Sequence, residues 1–232
     1  MWTPFGVSAS IRIRKAIPTL EICLLYFAGA KIGLAMAFLQ TNVTPVWPPT
    51  GIALAGLLRF GTGVWPGITI AAFLTTYATG VSGTTAGIVA AGNTLAPLAA
   101  ALVLTRKRGA AFDLGSGRDV VSCVGMSALG TSISATVGTF SLTATGVIPW
   151  GAAPVCWWTW WVGDALGMLL VTPVVLSLFL PPQTRSDNPK FGELAALAVA
   201  LVVTCGVIFW RELSASSPTY SLPYLVLPGR SG

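Results

Sequence analysis

The sequence predicts an all-α fold, a polytopic transmembrane helix bundle of seven spans plus an incomplete eighth. Composition is the first reason. Hydrophobic residues make up 54% of the chain and charged residues 9%, with a mean hydropathy of +0.78, whereas soluble domains carry about 25% charged residues. Segmentation is the second. Apolar runs follow one another between short polar or glycine-rich breaks, several of them near the ~20 residues that a helix needs to cross a bilayer. The third reason is the placement of lysine and arginine. With the N-terminus inside, Arg12, Arg14, Lys15, Arg59, Arg106, Lys107, Arg108, Arg118, Arg185 and Lys190 all fall on the inner side. Only Arg211 falls in an outer loop, while Lys31 is within a span and Arg230 in the tail. This is the asymmetry that orients membrane proteins.

Residues 1–15 read as a cytoplasmic N-terminal segment, residues 16–228 as the membrane domain and residues 229–232 as a tail. The basic cluster before the first apolar run resembles the start of a signal sequence. The run continues to about Leu39 without a small-x-small cleavage site, so it reads as a retained first span from Ala16. Span two, Pro49 to Phe60, is short. Twelve helical residues reach about 18 Å, less than a hydrocarbon core of about 30 Å. The stretch Thr44-Pro45-Val46-Trp47-Pro48-Pro49 must complete the crossing or dip into the bundle, where non-helical backbone needs protein or a cavity around it. Proline suits the first position of a helix. Thr50 and Gly51 would then lie at an exposed helix N-terminus suited to a polar or anionic ligand. The plainer reading is an extracellular turn leading into a short helix.

Span three covers Val64 to Ala78. Span four, Thr85 to Leu104, carries the amide Asn93, read as glue between helices. Span five, Val120 to Thr145, carries Gly130, Ser134 and Gly138 at four-residue intervals, a stripe that lets helices approach closely. Its Thr131, Ser132, Thr136, Thr139 and Ser141 add hydroxyls that bond their own backbone or bridge helices. Span six is Ala152 to Leu180. A polar linker, Pro181 to Lys190, leads to span seven, Gly192 to Trp210. The eighth runs from Ser221 to Pro228.

Several functions are excluded or disfavoured. The net charge of +6 belongs to the orientation signal beside the spans, so nucleic acid is not expected as a partner; the partner is the lipid bilayer. The chain has no histidine, which removes His-ligated haem or iron and His-based acid–base catalysis. Cys23, Cys123, Cys156 and Cys205 lie singly in or beside spans and read as apolar fillers, with neither a disulfide framework nor a zinc site. No phosphate loop, nucleotide motif or metal-ligand spacing occurs, so no cofactor, metal or catalytic residue is expected.

The candidate site centres on Trp157-Trp158-Thr159-Trp160-Trp161-Val162-Gly163-Asp164, where four of nine tryptophans precede an acid inside an apolar stretch. An intramembrane acid usually faces protein or water and has a partner. Helical spacing puts Trp157, Trp160 and Trp161 on the side of Asp164, with Gly167 and Met168. Trp160 and Trp161 are expected to line a pocket with Trp47. Lys31 and Asp164 differ in depth by roughly 6 Å at 1.5 Å per residue, which predicts that they pair. The candidate ligand-binding or signalling residues are therefore Lys31, Trp47, Pro48, Pro49, Thr50, Asn93, Trp157, Trp160, Trp161 and Asp164.

An ordered series of short motifs runs through nearly the whole chain. It comprises Val46-Trp47-Pro48-Pro49-Thr50-Gly51-Ile52-Ala53-Leu54, then Gly61 and Trp65-Pro66-Gly67, then Gly92-Asn93-Thr94-Leu95. Ser134-Ala135-Thr136-Val137-Gly138 and Trp157 to Gly167 follow. The series resembles the bacterial membrane-associated sensor domain of type one. The resemblance implies an integral-membrane sensory input module of the inner membrane that serves a histidine kinase, diguanylate cyclase or phosphodiesterase. It also implies a small ligand or a membrane-protein partner as the signal, and a homodimer formed through the output domain. The four residues after Pro228 contain no output domain, so output activity is expected elsewhere than in this chain. A small transporter or permease is the alternative, since short proline-interrupted spans and an intramembrane acid fit one, although the halves show no internal repeat.

Overall fold

A computed structural model of the chain describes residues 5–40, 46–106 and 117–179, and every regular element within them is helical. The expected spans seven and eight, the linker before them and the pair Lys107-Arg108 lie outside the described residues.

Helix α1, Phe5–Gln40, buries Ile22, Tyr26, Gly29, Ala30 and Gly33 and exposes Glu21, Leu24, Lys31 and Ile32. The buried set recurs every three or four residues, the one-sided pattern of a helix packed along a single stripe. Gly29 and Gly33 are its close-contact points. A Cβ at Gly29 would press on Ile52, and one at Gly33 would lie 3.0 Å from the Trp47 ring.

Helix α2, Pro48–Phe60, sits against that stripe and is buried continuously from Pro49 to Leu57. A helix apolar all round belongs in an interior, and α2 also packs on α4 and on the last long helical segment. It ends at Gly61, whose φ of 82° is the left-handed conformation that glycine adopts without a Cβ penalty. A single 3₁₀ turn, Thr62–Val64, leads into α3, Trp65–Tyr77, which packs on α1 and α4. Gly67 of α3 rests against the Thr19 carbonyl.

Helix α4, Gly83–Arg106, is capped by Ser82, whose Oγ accepts the Thr85 N–H at 3.1 Å. It lies between α3 and α2 on one side and α5, Gly117–Ala144, on the other. After a 3₁₀ turn at Trp150–Ala152, α6 covers Ala153–Leu166. It passes through a π-helical turn, Gly167–Val171, into α7, Thr172–Phe179.

Among the described residues, four stretches are long and apolar enough to cross a membrane: Ala16–Leu34, Gly83–Arg106, Val121–Ala144 and Trp150–Leu178. These coincide with expected spans one, four, five and six. Helices α2 and α3 have 13 residues each, about 20 Å of helix, so neither spans a bilayer by helix length alone.

Candidate functional site

Two prolines decide how the chain enters α2. Pro48 and Pro49 bring no N–H, so the helix start presents fewer orphan donors to an apolar interior. Trp47, in an extended conformation, donates its backbone N–H to the Gly163 carbonyl of α6 at 2.9 Å. The Thr50 N–H returns to the Trp47 carbonyl at 3.3 Å. The non-helical entry is thus satisfied by protein, as an interior location demands.

The entry is also tightly packed. A Cβ on Gly167 would overlap the Trp47 carbonyl, and one on Gly51 would overlap the Gly167 carbonyl. Thr172 Oγ1 donates to the Gly51 carbonyl at 3.1 Å. The π turn of the last segment is therefore seated directly on the first turn of α2.

Asp164 occupies this junction. It is 1% exposed. Thr50 Oγ1 of α2 donates to its Oδ1 at 2.6 Å, and Ser134 Oγ of α5 donates to its Oδ2 at 2.5 Å. The Trp160 indole, one turn earlier in α6, lies beside the carboxylate. Hydrogen bonds to a charged group are worth about 1.5–3 kcal/mol each, and the N-terminal end of a helix favours a negative charge. The expected exposed N-terminus awaiting an anion is corrected on this point. The N-terminus of α2 is buried, and the anion at it is Asp164 itself.

The expected Lys31–Asp164 pair is not formed. Lys31 is exposed, with Nζ 5.4 Å from the centroid of Phe27. Helical phase explains this. Gly29 and Gly33 must face α2, and a residue midway between them points about 160–200° away. Depth was compatible with pairing, but azimuth was not.

Tyr26 is the residue that sequence reasoning missed. Its phenol, 1% exposed, lies in the neighbourhood of Trp47, Asn93 and Asp164. The available signal was its place on the Gly29–Gly33 face, a small-xxx-small pair in α1 that was also overlooked. Asn93 is 7% exposed, and its Oδ1 has no partner.

The remaining candidates divide between two neighbours. Trp47 lays its ring on Gly33 of α1. Trp161 instead donates to the Ala128 carbonyl at 2.8 Å and to Ser132 at 3.2 Å, and Trp157 donates to Thr136 at 3.0 Å. All three acceptors lie on α5. The rings of Trp157 and Trp161 stack at 6.3 Å and 8°, with Trp158 beside them. Gly130 faces the Ala96 carbonyl of α4, whereas Gly138 faces the Trp160 ring. The stripe on α5 thus serves two helices, with Ser134 between them. Among the described residues, no three His, Cys, Asp or Glu side chains come together to hold a metal ion.

One carboxylate therefore ties α2, α5 and α6 together, with the buried polar residues Tyr26 of α1 and Asn93 of α4 elsewhere in the interior. The family model for MASE1, a membrane-associated sensor domain, matches residues 19–228. The chain belongs to the MASE1 family. The match takes in the three helices that Asp164 ties together, and it makes this chain an integral membrane domain of sensory input type. No curated protein and no solved structure matches the MASE1 chain.

Proposed function

We propose that this MASE1 chain perceives a small ligand or a membrane-protein partner at the polar junction around Asp164 and passes the change to a cytoplasmic output enzyme. That enzyme would be a histidine kinase or a cyclic-di-GMP enzyme, with the domain in the bacterial inner membrane, its N-terminus inside, and pairing of two chains through the output part. The observation that carries the reading is the buried Asp164 carboxylate bridging Thr50 and Ser134. A contact that joins three helices through one ionisable group can be remade in two ways, and a two-state element of that kind is what a signal must bias. The π turn at Gly167–Val171 supports it, because a shift of its extra residue would rotate α7 relative to α6.

The test is a fusion of the chain to a diguanylate cyclase, read by cellular cyclic-di-GMP. Asp164→Asn and Ser134→Ala should fix the output at one level while the fusion remains in the membrane. An output that still follows growth conditions as the wild type does would overturn the reading.

A further inference from the structure

The hydrogen bonds that tie Asp164 to α2 and α5 both come from hydroxyls, Thr50 on Oδ1 and Ser134 on Oδ2. A hydroxyl, unlike an N–H, accepts as well as donates, so these contacts survive a change in the charge of the acid. Ser134 also has a second acceptor within reach, since its Oγ lies 3.0 Å from the Thr131 carbonyl of its own helix. Its one proton serves either oxygen. The junction therefore admits two complete arrangements. With the acid ionised, Thr50 and Ser134 both donate to it. With the acid protonated, its Oδ2 hydroxyl donates to Ser134 Oγ, the Ser134 proton turns to the Thr131 carbonyl, and Thr50 still donates to Oδ1. The two differ by one proton, taken from water or returned to it, and neither leaves a hydroxyl proton without an acceptor.

The surroundings leave the exchange to the acid. Among the described side chains Asp164 is the one buried acid, and the basic Lys31, Arg59 and Arg106 are all exposed. A charge left alone inside a membrane bundle is costly, and a proton removes it with almost no change of volume. Helix α6 packs on α5, α2, the π turn and the 3₁₀ turn at Trp150–Ala152. Neither turn carries a titratable group. Arg59 lies at the far end of α2 from Thr50, and Arg118, Asp119 and Cys123 lie near the start of α5, well before Ser134. On α6 itself the Cys156 thiol is taken by Thr139. Tyr26 of α1 is in the neighbourhood, and a phenol ordinarily ionises only near pH ~10. We propose that Asp164 is a proton-binding site, and that proton binding moves the Ser134 hydroxyl from the acid to the Thr131 carbonyl. The proton is then the small ligand of the junction. The proposal rests on the sensory reading only for what that proton reports, so binding and signalling are measured separately.

The experiment is infrared difference spectroscopy of the full chain in lipid nanodiscs, titrated across the pH range in which circular dichroism shows it folded. A protonated carboxyl has a carbonyl band above the amide band, and its ion does not. Wild type minus Asp164→Asn should show such a band at the acid end, lost with a single midpoint as pH rises and lowered in wavenumber in heavy water. Thr50→Val, which takes the donor from Oδ1, should move the band to higher wavenumber. Ser134→Ala, which takes the acceptor from the acid O–H, should move it as well, and Lys31→Met should leave it in place. If Asp164→Asn does not fold, the shifts in Thr50→Val and Ser134→Ala, which keep the acid, decide the matter alone. A band that is absent at every pH, a band that does not titrate, or one left in place by both hydroxyl variants would overturn the proposal. A band that titrates and shifts as expected, beside a cyclase fusion whose output in membranes is the same at both ends of the titration, would uphold the site and count against the sensory role.

Discussion

Thr50 and Asp164 stand 114 positions apart in the chain and meet at 2.6 Å inside the bundle. Their contact fixes the start of a buried short helix against the middle of a long one, and Ser134 closes it from a third. Ser134→Ala and Thr50→Val each remove one donor from the carboxylate. Each should lower stability by about 1.5–3 kcal/mol, read as Tm in detergent. Because the two donors share an acceptor, the double variant should depart from the sum of the singles. Strict additivity would mean that the hydroxyls do not act on one group.

Gly51 and Gly63 offer a matched pair. A Cβ at Gly51 would run into the Gly167 carbonyl, while nothing lies within 4 Å of one at Gly63. Gly51→Ala should cost at least the ~1–3 kcal/mol of an overpacked core, because the obstacle is backbone. Gly63→Ala should fold as the wild type does. Yield and Tm of the two variants give the comparison, and equal behaviour would show that α2 has room to move off the π turn.

The tryptophan ladder makes a narrower prediction. Trp161→Phe keeps a ring in the stack but removes the N–H bound to Ala128 and Ser132. It should cost about 0.5–1.5 kcal/mol. Trp158, 60% exposed, should tolerate Phe with a change near zero. Similar losses at both positions would assign the ladder's contribution to ring area rather than to the α5 hydrogen bonds.

Lys31→Met should leave stability within about 0.5 kcal/mol of the wild type, as exposed substitutions do, and should not rescue Asp164→Asn. Rescue of folding by the double substitution would restore the ion pair that the structure rejects.

Orientation is read at the two ends of α4. A cysteine replacing Ser82 should react with a membrane-impermeant maleimide added from the periplasm, and one replacing Arg106 should not. The opposite pattern would invert the domain.

The sequence by itself determined the class and much of the parts list. Its composition demanded a membrane bundle, and spans one, four, five and six coincide with stretches long and apolar enough to cross. The family was legible in the order of its short motifs, and the match over residues 19–228 bears it out. Pro48-Pro49 marked the start of α2, and Asp164 stood out because an acid in an apolar run is expensive. These signals are local, resting on a few adjacent residues or on one helical period.

Tertiary structure decided who meets whom. Lys31 had a suitable depth and the wrong azimuth, since Gly29 and Gly33 claim the face toward α2. Tyr26 was hidden because a tyrosine in an apolar helix carries no mark of the Asn93 and Trp47 in its neighbourhood. The stripe Gly130, Ser134 and Gly138 announced close packing, but only the assembled bundle shows it divided between α4 and α6. Periodicity specifies which side of a helix is buried. It leaves open which neighbour covers that side, because that choice is settled by the simultaneous fit of carbonyls, hydroxyls and missing Cβ atoms on helices far apart in the chain.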